Sequence, residues 1–238
     1  MRRRFFVDEV RNGKAELSGD DAKHLTRVLR VEAGQRFEIS DNRNVYLAEI
    51  ETARKELVIF RTLEKLAMPE PGTRLVLCAA LFKFDRFEWI VEKATELGVE
   101  RILPVETARG EKGLLEASRK RRQRWERVAR ESSQQSRRVS APEIPPAAGF
   151  RQSLALEADY RYFLEETVAP PLLRLLPVNR AATDRVALLT GPEGGWTAAE
   201  REAAAAAGWR SASLGPLVLR AETAAIAAVA AIVNGWMA

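Results

Sequence analysis

The chain has 238 residues, 46% hydrophobic and 30% charged, a globular mix long enough for one large domain or two smaller ones. Its one cysteine, Cys78, excludes an intramolecular disulfide, and one cysteine with one histidine leaves no His/Cys metal cluster. The formal charge is +5, a modest basic bias whose placement matters more than its total.

The first third reads as strands. "RRFFVDEV", "KAELS", "QRFEIS", "NVYLAEIE" and "ELVIFRTLEK" are short, rich in β-formers and separated by turn residues such as Asn12-Gly13 and Asp41-Asn42. One helix interrupts them. Ser18 and Asp21 form a capping box ahead of "AKHLTRVLR", and Gly34 follows closely. Strands plus a small helix predict a little β-barrel over residues 1–67. "MPEPG", residues 68–72, reads as a linker.

After it the rhythm changes to alternating strands and helices. "RLVLCAAL" (74–81) is a buried-type strand, in which Cys78 is a small packing residue rather than a nucleophile. "DRFEWIVEKATELG" (85–98) has Asp85 and Glu88 as a capping pair, Gly98 as a stop, and Phe87, Ile90, Val91, Ala94 and Leu97 at helical spacing. "RILPVE" is the next strand. A helix over roughly 116–136 places Trp125, Val128, Ala129 and Ser132 on one face. Between Arg119 and Arg138 lie nine basic and two acidic residues, a net +7. That patch is either a polyanion-binding surface or a solvated helix face.

"YRYFLEE" (160–166), "RVALLTG" (185–191) and "SASLG" (211–215) complete the strands, and helices follow the last two over 197–207 and about 221–235. The last contains "TAAIAAVAAIV" (223–233), shorter than the roughly 20 residues of a membrane span and read as a buried helix. This alternation predicts a mostly parallel sheet with helices on both faces, whose ligands bind beyond the strands' carboxyl ends. Those ends carry Glu165, the glycine-rich loop "TGPEGGW" and the Leu214-Gly215 turn.

The glycine loop is not a phosphate loop. It lacks the Lys-Ser/Thr that ends a P-loop, and there is no GxGxxG. Thr197 and Glu200 form a capping box that occupies the first free N–H groups of the following helix. With Glu193 nearby, an anion is a poor fit. The loop is either a tight structural turn or a site for a cationic ligand. A second strand-loop-helix transition, "SLGPLVLRAETAAIAA" (213–228), carries Arg220, Glu222 and Thr223 at its helix start. Two such loops side by side form one pocket with apolar walls and main-chain donors.

"LLTGPEGGW" (188–196) and "LGPLVLRAETA" (214–224) together resemble the paired C-terminal motifs of the RsmE family of SPOUT methyltransferases. "HLTRVLR" (24–30), "KFDRFEWIVEKATELGV" (83–99) and "RWERVARESSQQSRR" (124–138) are similar to further segments of that family, in the same order, so the resemblance covers nearly the whole chain. The chain departs from the family pattern at Arg109-Gly110, Leu217 and Ala221, which bears on RNA contacts.

The resemblance implies an α/β fold: a SPOUT-type trefoil-knotted parallel sheet with helices on both faces over 73–238, preceded by a PUA-like RNA-binding β-barrel. It implies S-adenosylmethionine-dependent methylation of N3 of a uridine in small-subunit (16S) ribosomal RNA, free or in the assembled subunit. A homodimer through the knotted domain, no membrane, no metal and a cytoplasmic location go with it; a lone cysteine and the absence of a secretory signal lead to the same compartment. The cofactor residues it implies are Leu164 and Glu165, then Thr190, Gly191, Pro192, Glu193 and Gly195, then Leu214, Gly215, Leu217, Val218, Leu219 and Thr223. Glu193 either touches the cofactor or braces the loop. Arg220 is the catalytic candidate, stabilising charge on the base or orienting it. Arg2, Arg3, Arg4, Arg27, Arg30 and Arg109 are the RNA candidates. His24 is either a packing residue, the reading favoured here, or RNA-facing. The rival readings are a SPOUT enzyme acting on another RNA atom, such as a ribose 2′ oxygen, and a non-catalytic RNA-binding assembly factor.

Overall fold

A computed structural model describes residues 4–68 and 72–237. The chain forms two compact units, one of Met1–Glu70 with Ser133–Ala141 and one of Pro71–Ser132 with Pro142–Ala238.

The first unit is built on a five-stranded sheet: β1 (Arg4–Phe6), β2 (Lys14–Ser18), β3 (Arg36–Ser40), β4 (Val45–Arg54) and β5 (Leu57–Lys65), in the order β1-β3-β4-β5-β2. β1 pairs parallel with β3, and the other pairings are antiparallel. Period-2 alternation sends Ala15 and Leu17 of β2 inward and Lys14, Glu16 and Ser18 outward. They join Phe5, Ile39, Ile50, Val58 and Phe60 in one core. The expected turns form. Asn12 and Gly13 both take positive φ, closing Arg11 onto Lys14. The Asp41 carboxylate accepts from the main-chain N–H groups of Arg43 and Asn44.

The helix α1 (Gly19–Lys23) passes directly into a π-helical turn, His24–Val28. The capping box expected at its start is absent, since Ser18 makes no side-chain cap bond. His24 is exposed, so the packing role favoured for it does not hold. Residues 133–141 complete this unit. The Ser40 hydroxyl donates to the Val139 carbonyl at 2.6 Å, and Arg137 pairs with Glu38. Glu38 is buried and also holds the buried Arg4, at 2.9 Å.

The second unit carries a six-stranded, all-parallel sheet. Its elements are β6 (Arg74–Ala80), α2 (Phe84–Glu96), β7 (Arg101–Glu106), α3 (Leu114–Gln135), β8 (Ala148–Gly149), α4 (Phe150–Leu154), β9 (Tyr160–Leu164), α5 (Leu172–Leu175), β10 (Arg185–Thr190), α6 (Ala198–Ala206), β11 (Arg210–Ala212) and α7 (Ala221–Met237). The strand order is β11-β9-β10-β6-β7-β8, so β10 lies between two strands laid down before it. The short β8, α4 and α5 were not anticipated from sequence.

Both faces of this sheet are covered, as its near-continuous apolar strands require. Leu75, Leu77, Tyr162, Leu164, Val186 and Leu188 face one core with Phe87, Ile90 and Val91 of α2, Trp125 and Ala129 of α3, and Ala225, Val229 and Ile232 of α7. Cys78, Phe163, Ala187 and Leu189 point the other way, into a core with Leu154, Trp196, Ala204 and Trp209. Cys78 is therefore a packing residue, and burial pushes its thiol up to about 12. The capping pair expected at Asp85 and Glu88 is not formed, because α2 starts at Phe84 without a side-chain cap. Glu88 instead accepts from Arg124 of α3 at 2.7 Å.

Candidate active site

Three strands end side by side at the carboxyl edge of the second sheet: β9 at Leu164, β10 at Thr190 and β11 at Ala212. The loops that leave them enclose a cavity of about 340 Å³. Leu164, Glu165 and Glu166 contribute from the first loop, and Gly191, Pro192, Glu193 and Gly195 from the second. Leu214, Gly215, Leu217, Val218 and Leu219 line it from the third, and Arg220, Ala221 and Ala224 close it at the start of α7. Twelve residues expected at the site, counting Arg220, are thus brought together. Thr190 is buried as the last residue of its strand, and Thr223 is exposed on α7; neither lines the cavity.

Local chemistry fixes the glycine loop. Gly195 donates to the Pro192 carbonyl at 3.0 Å with φ +66°, a conformation that favours glycine. Thr197 then caps α6, and both arms of its box with Glu200 are present. The second oxygen of Glu200 accepts from the Ala108 N–H at 2.8 Å, which ties the loop after β7 to α6. Behind the loop, Trp196 is fully buried against Phe163 and Phe150. Its indole ring leaves no room at Gly191, where a Cβ would meet it at 3.0 Å.

The third loop is held differently. The Ser213 hydroxyl accepts from the Gly215 N–H and donates to the Gly215 carbonyl. The Ser213 main chain bonds Pro170 and Leu172, so the loop leaving β9 lies against the one leaving β11. Leu217 and Val218 remain 78% and 83% exposed, an apolar edge open to a ligand. Arg220 is exposed at the mouth.

The electrostatics rest on two arginines that sequence reading missed as site residues. Arg86 of α2 pairs with Glu193, so the carboxylate in the middle of the glycine loop is braced from outside. Arg201 of α6 binds Glu165 through Nε at 3.0 and 3.1 Å, Glu166 through Nη2 at 2.7 Å, and the Trp196 carbonyl through Nη1 at 2.7 Å. Burial lowers the Arg201 pKa, but its bonds to Glu165 and Glu166 outweigh that and hold it above the ordinary arginine value. Neither pairing has a local signal, since each partner lies at least 35 residues away. Glu166, Ala221 and Ala224 were also missed. Glu166 had a signal in the doubled carboxylate of "FLEE", and the two alanines in their i, i+3 spacing on α7.

The arginines expected to meet RNA fall into different settings. Arg2 and Arg3 lie outside the described residues. Arg4 is buried and committed to Glu38, which removes it from any ligand surface. Arg27 and Arg30 are exposed at and just after the π-helical turn, Arg30 with φ +50°. Arg109 is exposed in the second unit but donates to the Gly194 carbonyl at 3.0 Å. Along α3, Arg119, Arg122, Arg124 and Arg127 each have a carboxylate partner within 4.0 Å, which favours the solvated, ion-paired reading of that helix. Among the described residues no His/Cys/Asp/Glu group could hold a metal ion, and no helix is long and apolar enough to cross a membrane.

Known proteins are similar to this chain in sequence and fold. The family model of the RNA methyltransferase domain matches residues 69–233, and that of the RNA methyltransferase PUA domain matches residues 17–63. The chain is 32% identical to the ribosomal RNA small subunit methyltransferase E of Synechocystis, over 94% of this chain and 74% of the relative. With that of Bacillus subtilis it shares 28%, over 96% and 95%. Two solved structures superpose closely. The small subunit methyltransferase E of Neisseria gonorrhoeae bound to S-adenosyl methionine has a TM-score of 0.89, 26% identity and coverage of 99% and 98%. A putative methyltransferase of Legionella pneumophila in complex with the same cofactor has a TM-score of 0.87, 29% identity and coverage of 96% of each chain. A PUA-like sheet unit, a parallel sheet covered on both faces, a cavity among three carboxyl-edge loops and a family match over more than half its length place this chain in the RsmE family of SPOUT RNA methyltransferases.

Proposed function

We propose that the protein methylates N3 of a uridine in small-subunit ribosomal RNA with S-adenosylmethionine as donor. The observation that carries this is the cavity itself, formed by three loops of which two carry the motifs that gave the resemblance, in a chain that superposes on cofactor-bound relatives.

The residues present fit such a donor. A cavity of about 340 Å³ lies in the range of small-molecule sites, roughly 300–1,000 Å³. Leu217, Val218 and Leu219 offer apolar surface for a purine, and the main chain of 214–219 reads its edge in this proposal. Glu165, Glu166 and Glu193 tolerate a cation and would repel a polyphosphate.

When bound, S-adenosylmethionine supplies an electrophilic methyl on a sulfonium. The chain's part is positioning and charge. Arg220, exposed at the mouth, stabilises the negative charge left on the uracil ring once N3 loses its proton, and orients that ring. Arg201 and Arg86 hold the carboxylate walls. Arg27 and Arg30 make phosphate contacts, which position RNA without reading its sequence.

The protein works as a cytoplasmic homodimer, on the free RNA or the assembled subunit. The half-buried Ala224, Ala227 and Ala231 of α7 allow close approach of a second copy. Light scattering tests this, and a monomer at working concentration counts against it.

The decisive experiment is mass spectrometry of small-subunit rRNA incubated with the chain and donor. A new N3-methyluridine supports the assignment. A methyl on a ribose oxygen, or cofactor uptake without transfer, overturns it.

A further inference from the structure

The three carboxylates of the cavity wall are unequally neutralised. Glu165 is nearly sealed from solvent, its side chain 5% exposed, with both oxygens on Arg201 Nε. Glu193 is paired with Arg86. Glu166 shares Arg201 through Oε1 alone, and its side chain is 37% exposed. Among the described residues two guanidinium groups, Arg86 and Arg201, serve these three carboxylates. Glu165 and Glu166 therefore share one guanidinium and carry one negative charge in excess of it, and Glu166 is the more exposed of the two.

The loops fix where that charge sits. A Cβ at Gly195 would collide with Glu166 Oε1, so the glycine loop is packed against this carboxylate. Leu217, Val218 and Leu219 line the same cavity with apolar surface. A charge beside low-dielectric surface acts more strongly on a ligand than one in open water.

We infer that Glu166 is a specificity-determining residue that makes the pocket prefer a sulfonium donor to its neutral thioether product. The inference rests on the methyl-donor reading above. Transfer breaks the bond from sulfur to the methyl carbon and leaves the electron pair on sulfur, so the sulfonium charge is gone. The attraction to Glu166 goes with it. The same carboxylate thus favours loading of the donor and release of the spent nucleoside, while Glu165 and Glu193 serve to hold the loops.

Calorimetry on the full chain tests this with S-adenosylmethionine and S-adenosylhomocysteine as the two probes. Glu166→Gln is expected to weaken donor binding by about two- to fivefold, the range of a partly exposed charge pair. Product binding should be unchanged, which also shows that the pocket is intact. Glu166→Asp should keep most of the preference, and rising salt should erode it in the native chain. Equal weakening of both ligands in Glu166→Gln, or no change in either, overturns the inference. Failure of the native chain to bind either ligand overturns the donor reading itself.

Discussion

Trp196 donates its indole N–H to the main-chain carbonyl of Leu164 at 2.8 Å, across 32 residues of chain. Leu164 ends β9 and lines the cavity, while Trp196 stands behind the glycine loop with its ring against Gly191. One buried hydrogen bond therefore joins two of the three loops. Trp196→Phe leaves the Leu164 carbonyl without its donor. It should cost about 1–3 kcal/mol, or roughly 2–4 °C of Tm per kcal/mol in a chain of this size. Gly191→Ala pushes from the other side and should weaken cofactor binding several-fold. Thermal melts and calorimetry check both.

Arg220→Ala should lower methyl transfer by about 10²–10³-fold, the range for one lost donor at a developing charge. The Arg220 side chain is exposed and makes no hydrogen bond or ion pair among the described residues, while its carbonyl bond from Ala224 survives truncation, so Tm and cofactor affinity should stay close to native. Single-turnover transfer with radiolabelled donor, run beside calorimetry, separates the two effects. Native turnover in this variant would remove Arg220 from the chemistry.

Two capping positions that look alike in sequence should respond differently. Thr197→Ala removes a formed box and should cost about 1 kcal/mol. Ser18→Ala removes a side chain that caps nothing and should leave the denaturant midpoint unchanged within error.

The same contrast shows what local sequence could report. The box at Thr197 and Glu200 forms because both partners are free to turn toward each other, and Glu200 gains a further donor at Ala108. Glu88 occupies the same spacing from Asp85 but is drawn to Arg124, 36 residues on. Arg4 reads as a surface arginine until Glu38 and Arg137 are brought around it. Strands, long helices and the three site loops were legible, because periodicity and turn residues write them locally. Arg86 and Arg201 were not, since what makes them part of the site is a distant carboxylate. β8, α4 and α5 were missed because two to five residues carry too little periodicity.

Alkali should destabilise the fold through two buried groups. Burial pushes the Cys78 thiol up to about 12 from an ordinary 9.0, and burial likewise raises the Tyr162 hydroxyl from 10.0 to about 12. In each case the unfolded chain releases its proton first. Stability is therefore full below pH 9 and falls between pH 9 and 12, by up to about 1.4 kcal/mol per pH unit for each group that titrates. Denaturant midpoints across that window check the slope. Iodoacetamide should leave Cys78 unmodified in the folded chain at pH 8 and label it once urea opens the core.

Residues 133–141 belong to the sheet unit at the front of the chain, although they follow most of α3. The backbone consequently passes between the two units three times, near residues 70, 132 and 141. Arg137 and Val139 supply bonds to Glu38 and Ser40 that the first seventy residues cannot make for themselves. The front piece is thus no detachable module. A genetic cut at the proline-rich stretch would leave the buried Glu38 with Arg4 alone and strip Ser40 of its Val139 acceptor, and recombination could exchange this piece between relatives only if the distant nine-residue patch travelled with it.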